Sequence, residues 1–148
     1  MSLSQWVASG GGIGHVPVAP GTVASLAALA IGAVAMWIDP RLLVWLAIAA
    51  TLIGIWAVHA TQAADDPGWI VIDEFAGQWV AMIGLTHWSL YGAILAFALF
   101  RLLDIFKPGP IGWVDRKNGA IAVMADDVVA GLIAAAVLFV VGTLFPRF

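Results

Sequence analysis

Long stretches without an acidic or basic side chain restrict this chain more than any other feature of its sequence. Residues 22–38, 42–64 and 128–145 contain only apolar and uncharged polar side chains, apart from the titratable His59. A helix needs about 20 apolar residues to cross the roughly 30 Å hydrocarbon core of a bilayer. Only 10% of the 148 residues are charged, whereas a soluble domain carries about 25%. The sequence therefore predicts an all-α, polytopic membrane protein.

Two shorter apolar runs lie between these stretches and make the number of crossings less obvious. A helix over residues 73–89 would be only about 25 Å long at a rise of about 1.5 Å per residue. Residues 73–89 and 90–105 therefore form either two short crossings or a re-entrant hairpin. We favour five membrane helices in a transmembrane bundle that forms one membrane-embedded domain over residues 1–148.

The charged residues fall almost entirely into one set of predicted loops. With five crossings, loops 1–21, 65–74 and 101–127 lie on the same face and hold eight of the nine acidic residues. Four of the six basic residues lie there too, against Arg41 and Arg147 on the other face. Because Lys and Arg are enriched in cytoplasmic loops, this face is predicted to be cytoplasmic, with the N-terminus inside and the C-terminus outside.

Several function classes are excluded by composition. A net charge of −3 argues against a basic nucleic-acid-binding surface. The absence of cysteine excludes disulfides, thiolate metal ligands and a cysteine nucleophile. The chemistry must therefore come from carboxylates, cationic side chains and backbone groups.

Doubled carboxylates stand at the predicted starts of two membrane helices, as Asp73-Glu74 and Asp126-Asp127. Helix capping explains one carboxylate at such a position but not two. Mg²⁺ prefers carboxylate oxygens together with substrate phosphate. Ionisable groups at the ends of membrane spans are candidate functional residues, so both pairs are predicted to belong to a metal site.

Cationic and glycine-rich segments complete a set of groups suited to phosphate. Arg101 and Asp104 are three residues apart and share a helix face, while Lys107 precedes Pro108, where the helix should end. Near the N-terminus, Gly10 to Gly14 and Gly21-Thr22 offer backbone that an anion can approach closely. Thr22 is predicted to cap the first long helix.

These segments resemble the bacterial phosphatidylglycerophosphatase A family. The resemblance rests on residues 17–22, 70–77, 100–111 and 124–131, which read PVAPGT, IVIDEFAG, FRLLDIFKPGPI and MADDVVAG. They follow one another in the family's order across nearly the whole chain. The resemblance implies a lipid phosphatase of the bacterial inner membrane that uses Mg²⁺ to convert phosphatidylglycerophosphate to phosphatidylglycerol and phosphate.

The same resemblance implies roles for individual residues. Glu74, Asp73 and Asp127 are the predicted catalytic residues, and Arg101, Lys107, Thr22 and Gly21 are predicted to bind the substrate phosphate. The predicted metal ligands are Asp73, Glu74, Asp104, Asp126, Asp127 and Asp66. In the favoured mechanism a metal-activated water attacks phosphorus with Glu74 as general base. A covalent aspartyl-phosphate is the alternative.

Two other functions remain open from the residues alone. The carboxylates could line a cation or proton pathway in a transporter, although none lies in the middle of a predicted span. A non-catalytic assembly subunit is also conceivable, but it would have no need for so many carboxylates at the ends of spans. The sequence does not determine the oligomeric state.

Overall fold

A computed structural model describes residues 1–62 and 67–145. Within these ranges the chain is helical and contains no β-strand. A short 3₁₀ helix, Ile13–His15, separates the first two α-helices. The α-helices are α1 (Leu3–Ala8), α2 (Pro20–Ile38), α3 (Leu42–Thr61), α4 (Ile72–Ile83), α5 (Leu90–Phe106), α6 (Pro110–Asp115) and α7 (Ala120–Leu144).

Three of these helices, α2, α3 and α7, are long and apolar enough to cross a membrane. The predicted all-helical architecture is confirmed, and three candidate spans fit a membrane protein. The prediction of five crossings is not confirmed, because α4 has only 12 residues and α5 has 17. At about 1.5 Å per residue, α4 is only about 18 Å long.

Helix α4 lies at the centre of the bundle, where it packs against α2, α3, α5 and α7. Nine of its 12 residues are buried, so this helix has almost no surface left for lipid. The Trp79 ring lies against α2 and donates a hydrogen bond of 2.8 Å from its Nε1 to the carbonyl oxygen of Ala28. The central helix is thus the one whose first turn holds Asp73 and Glu74.

Two predicted helix boundaries are wrong. Helix α4 ends at Ile83 instead of continuing to residue 89. The next residue, Gly84, is a poor helix former and packs directly on the backbone of Ala135 in α7. Helix α7 begins at Ala120, about two turns before the predicted start at residue 128, and its first turn holds no acidic residue. Asp126 and Asp127 therefore lie inside a helix, so capping does not explain them.

The prediction that Thr22 caps the first long helix is also wrong. Helix α2 begins at Pro20, with Ala19 as the preceding residue in a left-handed conformation. Pro20 has no N–H and a fixed φ, which suits it to the first position of a helix. Thr22 therefore lies in the first helical turn.

The glycine-rich segment near the N-terminus packs against the residues that precede and begin α4. Gly10 lies against Val71 and Phe75, and a Cβ on Gly14 would lie 1.9 Å from the carbonyl oxygen of Trp69. The amides of Gly10, Gly11, Gly12 and Gly14 donate to backbone carbonyl oxygens between Trp6 and Ser9. These four amides are engaged within the segment, which packs against the residues that precede and begin α4.

Helices α4 and α7 cross so closely that glycine is required on both. A Cβ on Gly131 would lie 2.4 Å from the carbonyl oxygen of Gly77, a contact that forces the two backbones apart. We expect Gly131→Ala to lower the melting temperature clearly, since overpacking a tight contact typically costs about 1–3 kcal/mol.

Gly68→Ala is the matched control, because a Cβ at Gly68 would meet no atom within 4 Å. Thermal unfolding of both variants in detergent checks the prediction. Equal melting temperatures for the two variants would contradict the proposed tight crossing.

Candidate active site

The start of α4 meets the second and third turns of α7 in a group of three carboxylates, Asp73, Glu74 and Asp127, which we call the carboxylate group. Each residue offers one oxygen that lies within 4.8 Å of the other two. Asp73 and Asp127 are only 6% and 2% exposed. Three acidic side chains are thus held together away from water, which is unfavourable unless positive charge compensates them.

Local backbone geometry explains how the carboxylate group is assembled. The close crossing at Gly77 and Gly131 brings the two helices together about one turn beyond the acidic residues. On the other side of α4, a Cβ on Gly21 would lie 2.0 Å from Oε1 of Glu74. Gly21 therefore provides the space that the Glu74 carboxylate occupies.

Arg101 of α5 lies beside Glu74 and connects three helices. Its Nη1 pairs with the carboxylate of Asp104, one turn further along α5, and lies 3.7 Å from Oε1 of Glu74. Its Nη2 donates to Oγ1 of Thr22 across 3.4 Å. The predicted Arg101–Asp104 pair is thus present, and it faces the carboxylate group.

Lys107 occupies the other edge of the site, where α5 ends. Its Nζ donates to Oδ2 of Asp126 across 2.6 Å and also pairs with Asp115 of α6. Burial lowers the pKa of Lys107, but the two carboxylates outweigh this effect and raise the pKa well above its ordinary value. The ammonium therefore remains charged over the physiological range of pH.

Two carboxylate oxygens in this region are buried without a hydrogen-bond partner among the residues that the structure describes. They are Oε2 of Glu74 and Oδ2 of Asp127. A buried polar atom left unpaired costs about 1–3 kcal/mol, and more when it is charged. Both oxygens belong to the carboxylate group, so a bound cation would satisfy them.

The charge balance leads to the same conclusion. Six carboxylates and two basic side chains meet here, for a formal charge of −4 if all are ionised. Such an excess favours a divalent cation with oxygen ligands. The acidic residues are Asp73, Glu74, Asp104, Asp115, Asp126 and Asp127.

The other residues predicted to bind the metal or the phosphate form three sets. Asp104 and Asp126 lie next to Arg101 and Lys107 instead of within the group of three, although both carboxylates are near Asp127. Gly21 and Thr22 lie against Glu74 and Arg101, respectively. Asp66 lies outside the described residues.

Two residues at the site were not singled out from the sequence. Asp115 reaches Lys107 because the chain reverses at Pro108-Gly109-Pro110, a turn that the sequence does signal. Gln78 is fully buried one turn beyond Glu74, and neither of its amide atoms has a partner within residues 1–62 and 67–145. No sequence pattern distinguishes such a glutamine from one exposed to solvent.

Comparison with known proteins gives consistent matches over most of the chain. The family model described as phosphatidylglycerophosphatase A matches residues 6–142. The Escherichia coli (strain K12) protein named phosphatidylglycerophosphatase A is 35% identical over 144 residues, covering 95% of this chain and 84% of the relative. A Haemophilus influenzae protein of the same name is 34% identical over 140 residues, covering 91% of this chain and 86% of its own length.

A third relative has a different name. A Bacteroides thetaiotaomicron protein, provisionally named phosphatidylinositol-3-phosphatase, is 35% identical over 140 residues, covering 88% of this chain and 87% of its own length. No solved structure matches the chain.

Proposed function

Because the chain belongs to the phosphatidylglycerophosphatase A family, we propose that its carboxylate group hydrolyses the phosphomonoester of phosphatidylglycerophosphate to phosphatidylglycerol and phosphate. The protein is a membrane hydrolase of phosphoric monoesters. The observation that best supports this site is the placement of three carboxylates, two of them buried and one partly buried, between two fixed cations, Arg101 and Lys107. Nothing in the comparisons supports the transporter hypothesis.

The choice of lipid follows from the family description and from two of the three relatives. The third relative's name concerns a phosphate on an inositol headgroup. Both lipids carry a phosphomonoester at the end of a headgroup, so the same site chemistry suits either. We favour phosphatidylglycerophosphate and use the inositol lipid as the comparison substrate.

The metal proposed for the site is Mg²⁺, held by Asp73, Glu74 and Asp127. The two unpartnered carboxylate oxygens and the excess of negative charge fit such an ion. When bound, Mg²⁺ supplies a Lewis acid that withdraws charge from phosphate oxygens and makes water more acidic. Asp66 is retained as a further candidate ligand on the basis of the sequence.

The two cations are proposed to hold the phosphomonoester. Arg101 presents a planar guanidinium that matches two phosphate oxygens, while Lys107 acts as a point charge. Asp104 orients Arg101 by pairing with Nη1, and Asp126 holds the ammonium of Lys107. Thr22 and Gly21 limit where Arg101 and Glu74 can lie, so they shape the phosphate-binding position.

Glu74 is the proposed general base. Its buried Oε2 is the oxygen assigned to the metal, and its other oxygen, Oε1, lies 3.7 Å from Nη1 of Arg101, one of the two cations proposed to hold the phosphate. Oε1 takes a proton from the attacking water as the water oxygen bonds to phosphorus. The bond between phosphorus and the glycerol oxygen then breaks, and the glycerol oxygen takes up the proton that Glu74 accepted from the water. A covalent aspartyl-phosphate remains the alternative, which acid quenching during turnover would trap as a labelled protein.

We place the protein in the bacterial inner membrane as one domain, with the active-site end facing the cytoplasm. The argument is the positive-inside rule, since Arg101, Lys107, Arg116 and Lys117 belong to the segments at that end. The chain has no cysteine, so single cysteines at Ser2 and Thr143 can report topology. In intact cells an impermeant thiol reagent should label Thr143→Cys and leave Ser2→Cys unmodified; the reverse pattern would contradict this orientation.

The activity itself is tested by release of phosphate from phosphatidylglycerophosphate in detergent micelles, with and without Mg²⁺. We expect activity that depends on Mg²⁺, together with lower activity on phosphatidylinositol 3-phosphate. Asp127→Asn should reduce kcat/KM by at least about 100-fold. Even the loss of a residue that only hydrogen-bonds to a metal ligand lowers metal affinity or activity about 10–100-fold.

Asp126→Asn should also reduce activity, because it removes the buried partner of Lys107. Asp39→Asn is the control, since Asp39 lies between α2 and α3 and accepts a hydrogen bond from the backbone nitrogen of Arg41. Circular dichroism of each variant verifies folding. Full activity of Asp127→Asn, or equal activity after removal of divalent cations, would contradict the proposed site.

A further inference from the structure

We propose that Asp115, on the short helix α6, is a positioning residue that holds the ammonium of Lys107 at the mouth of the site, ready for the substrate phosphate. This inference rests on the proposed function of Lys107 in binding phosphate. It concerns a residue that reaches the site only through Lys107 and makes no contact with the carboxylate group.

The backbone brings Asp115 to Lys107 across eight positions of sequence. Lys107 ends α5 in a left-handed conformation, with φ of 45°, and Pro108 prevents the helix from continuing. The chain then reverses through Gly109, which also has a positive φ. Helix α6 therefore runs back toward the end of α5, with Asp115 as its last residue.

Helix α6 is fixed in this position by packing. Ile111 is fully buried in a cluster with Phe100 of α5 and Ala130 of α7. Gly112 lies against the carbonyl of Lys107, because a Cβ there would be 2.6 Å from that oxygen. The side chain of Asp115 is thus presented to Lys107 by a docked helix and not by a loose loop.

The two carboxylates that hold Lys107 differ in burial. The side chain of Asp126 is 6% exposed, whereas that of Asp115 is 42% exposed. The ammonium therefore lies between the interior and the exposed face of α6. An ammonium has three N–H donors, so one remains for a phosphate oxygen after both carboxylates are paired.

Lysine side chains at the ends of membrane helices extend toward the headgroups when nothing holds them. Asp126 alone attaches Lys107 from the interior side, and Asp115 prevents the ammonium from turning outward on the exposed side. Loss of Asp115 should therefore leave Lys107 charged but allow its ammonium to occupy a wider range of positions. The consequence is weaker phosphate binding, with less effect on the chemical step.

A double-mutant cycle tests this role in the wild-type and Lys107→Gln backgrounds. We expect Asp115→Asn to raise KM for phosphatidylglycerophosphate about tenfold while kcat changes less than about threefold, as for loss of uniform binding. In the Lys107→Gln background, Asp115→Asn should change KM less than about twofold, because residues that act through one contact are not additive. Asp115→Glu should restore part of the lost affinity.

Lys117→Gln is the matched control, since Lys117 lies over the Trp113 ring and makes no pair with Asp115. Its KM should equal that of the wild type. Equal effects of Asp115→Asn in both backgrounds, or an unchanged KM in the wild-type background, would overturn the proposal. Failure of the wild-type protein to release phosphate from either lipid would instead overturn the proposed function.

A second measurement does not depend on activity. Lys107 and Lys117 are the only lysines of the chain, so acylation by an amine reagent can be compared at the two positions by mass spectrometry. Asp115→Asn should raise the labelling of Lys107 relative to Lys117 by about threefold or more, as expected when an ion pair that limits access is lost. An unchanged ratio would show that Asp115 does not hold Lys107.

Discussion

The burial of acidic side chains where the start of α4 meets α7 is the constraint on which the rest of the structure depends. Asp73 and Asp127 are almost completely inaccessible to water, and an uncompensated buried carboxylate is strongly unfavourable. Two basic residues lie beside the site, which leaves a formal excess of negative charge. The Mg²⁺ proposed for the carboxylate group would offset this excess of negative charge.

Two cations, Arg101 and Lys107, connect different helices around this centre. On one side, Arg101 joins α5 to Glu74 of α4 and Thr22 of α2. On the other, Lys107 joins the end of α5 to α7 through Asp126 and to α6 through Asp115. A phosphomonoester between these cations would lie at the end of a membrane bundle, where a lipid headgroup arrives while its acyl chains remain in the bilayer.

The sequence was sufficient to predict the helical membrane class and the three long apolar helices, because charge-free runs of that length have few alternatives. The pairs Asp73-Glu74 and Asp126-Asp127 could also be identified, since two adjacent carboxylates exceed what a helix end requires. The boundaries could not be predicted so well. Gly84, directly after α4, packs on Ala135 in a tertiary contact that the sequence does not show, and α7 begins after Gly119, which offers no capping side chain.

The side-chain partners were the least predictable part of the site. The predicted role of Asp104 and Asp126 as metal ligands stays a prediction, and the structure adds that each lies beside a cation. The pair between Lys107 and Asp115 depends on how α6 docks through Ile111, which no short sequence pattern specifies.

The central claim is that the carboxylate group binds a divalent cation. Titration of the purified protein with Mn²⁺, followed by electron paramagnetic resonance of the free ion, tests it most directly. Wild type and Asp39→Asn should bind Mn²⁺ and release it to excess Mg²⁺, whereas folded Asp127→Asn should bind it at least about tenfold more weakly; equal binding by all three proteins would contradict the account.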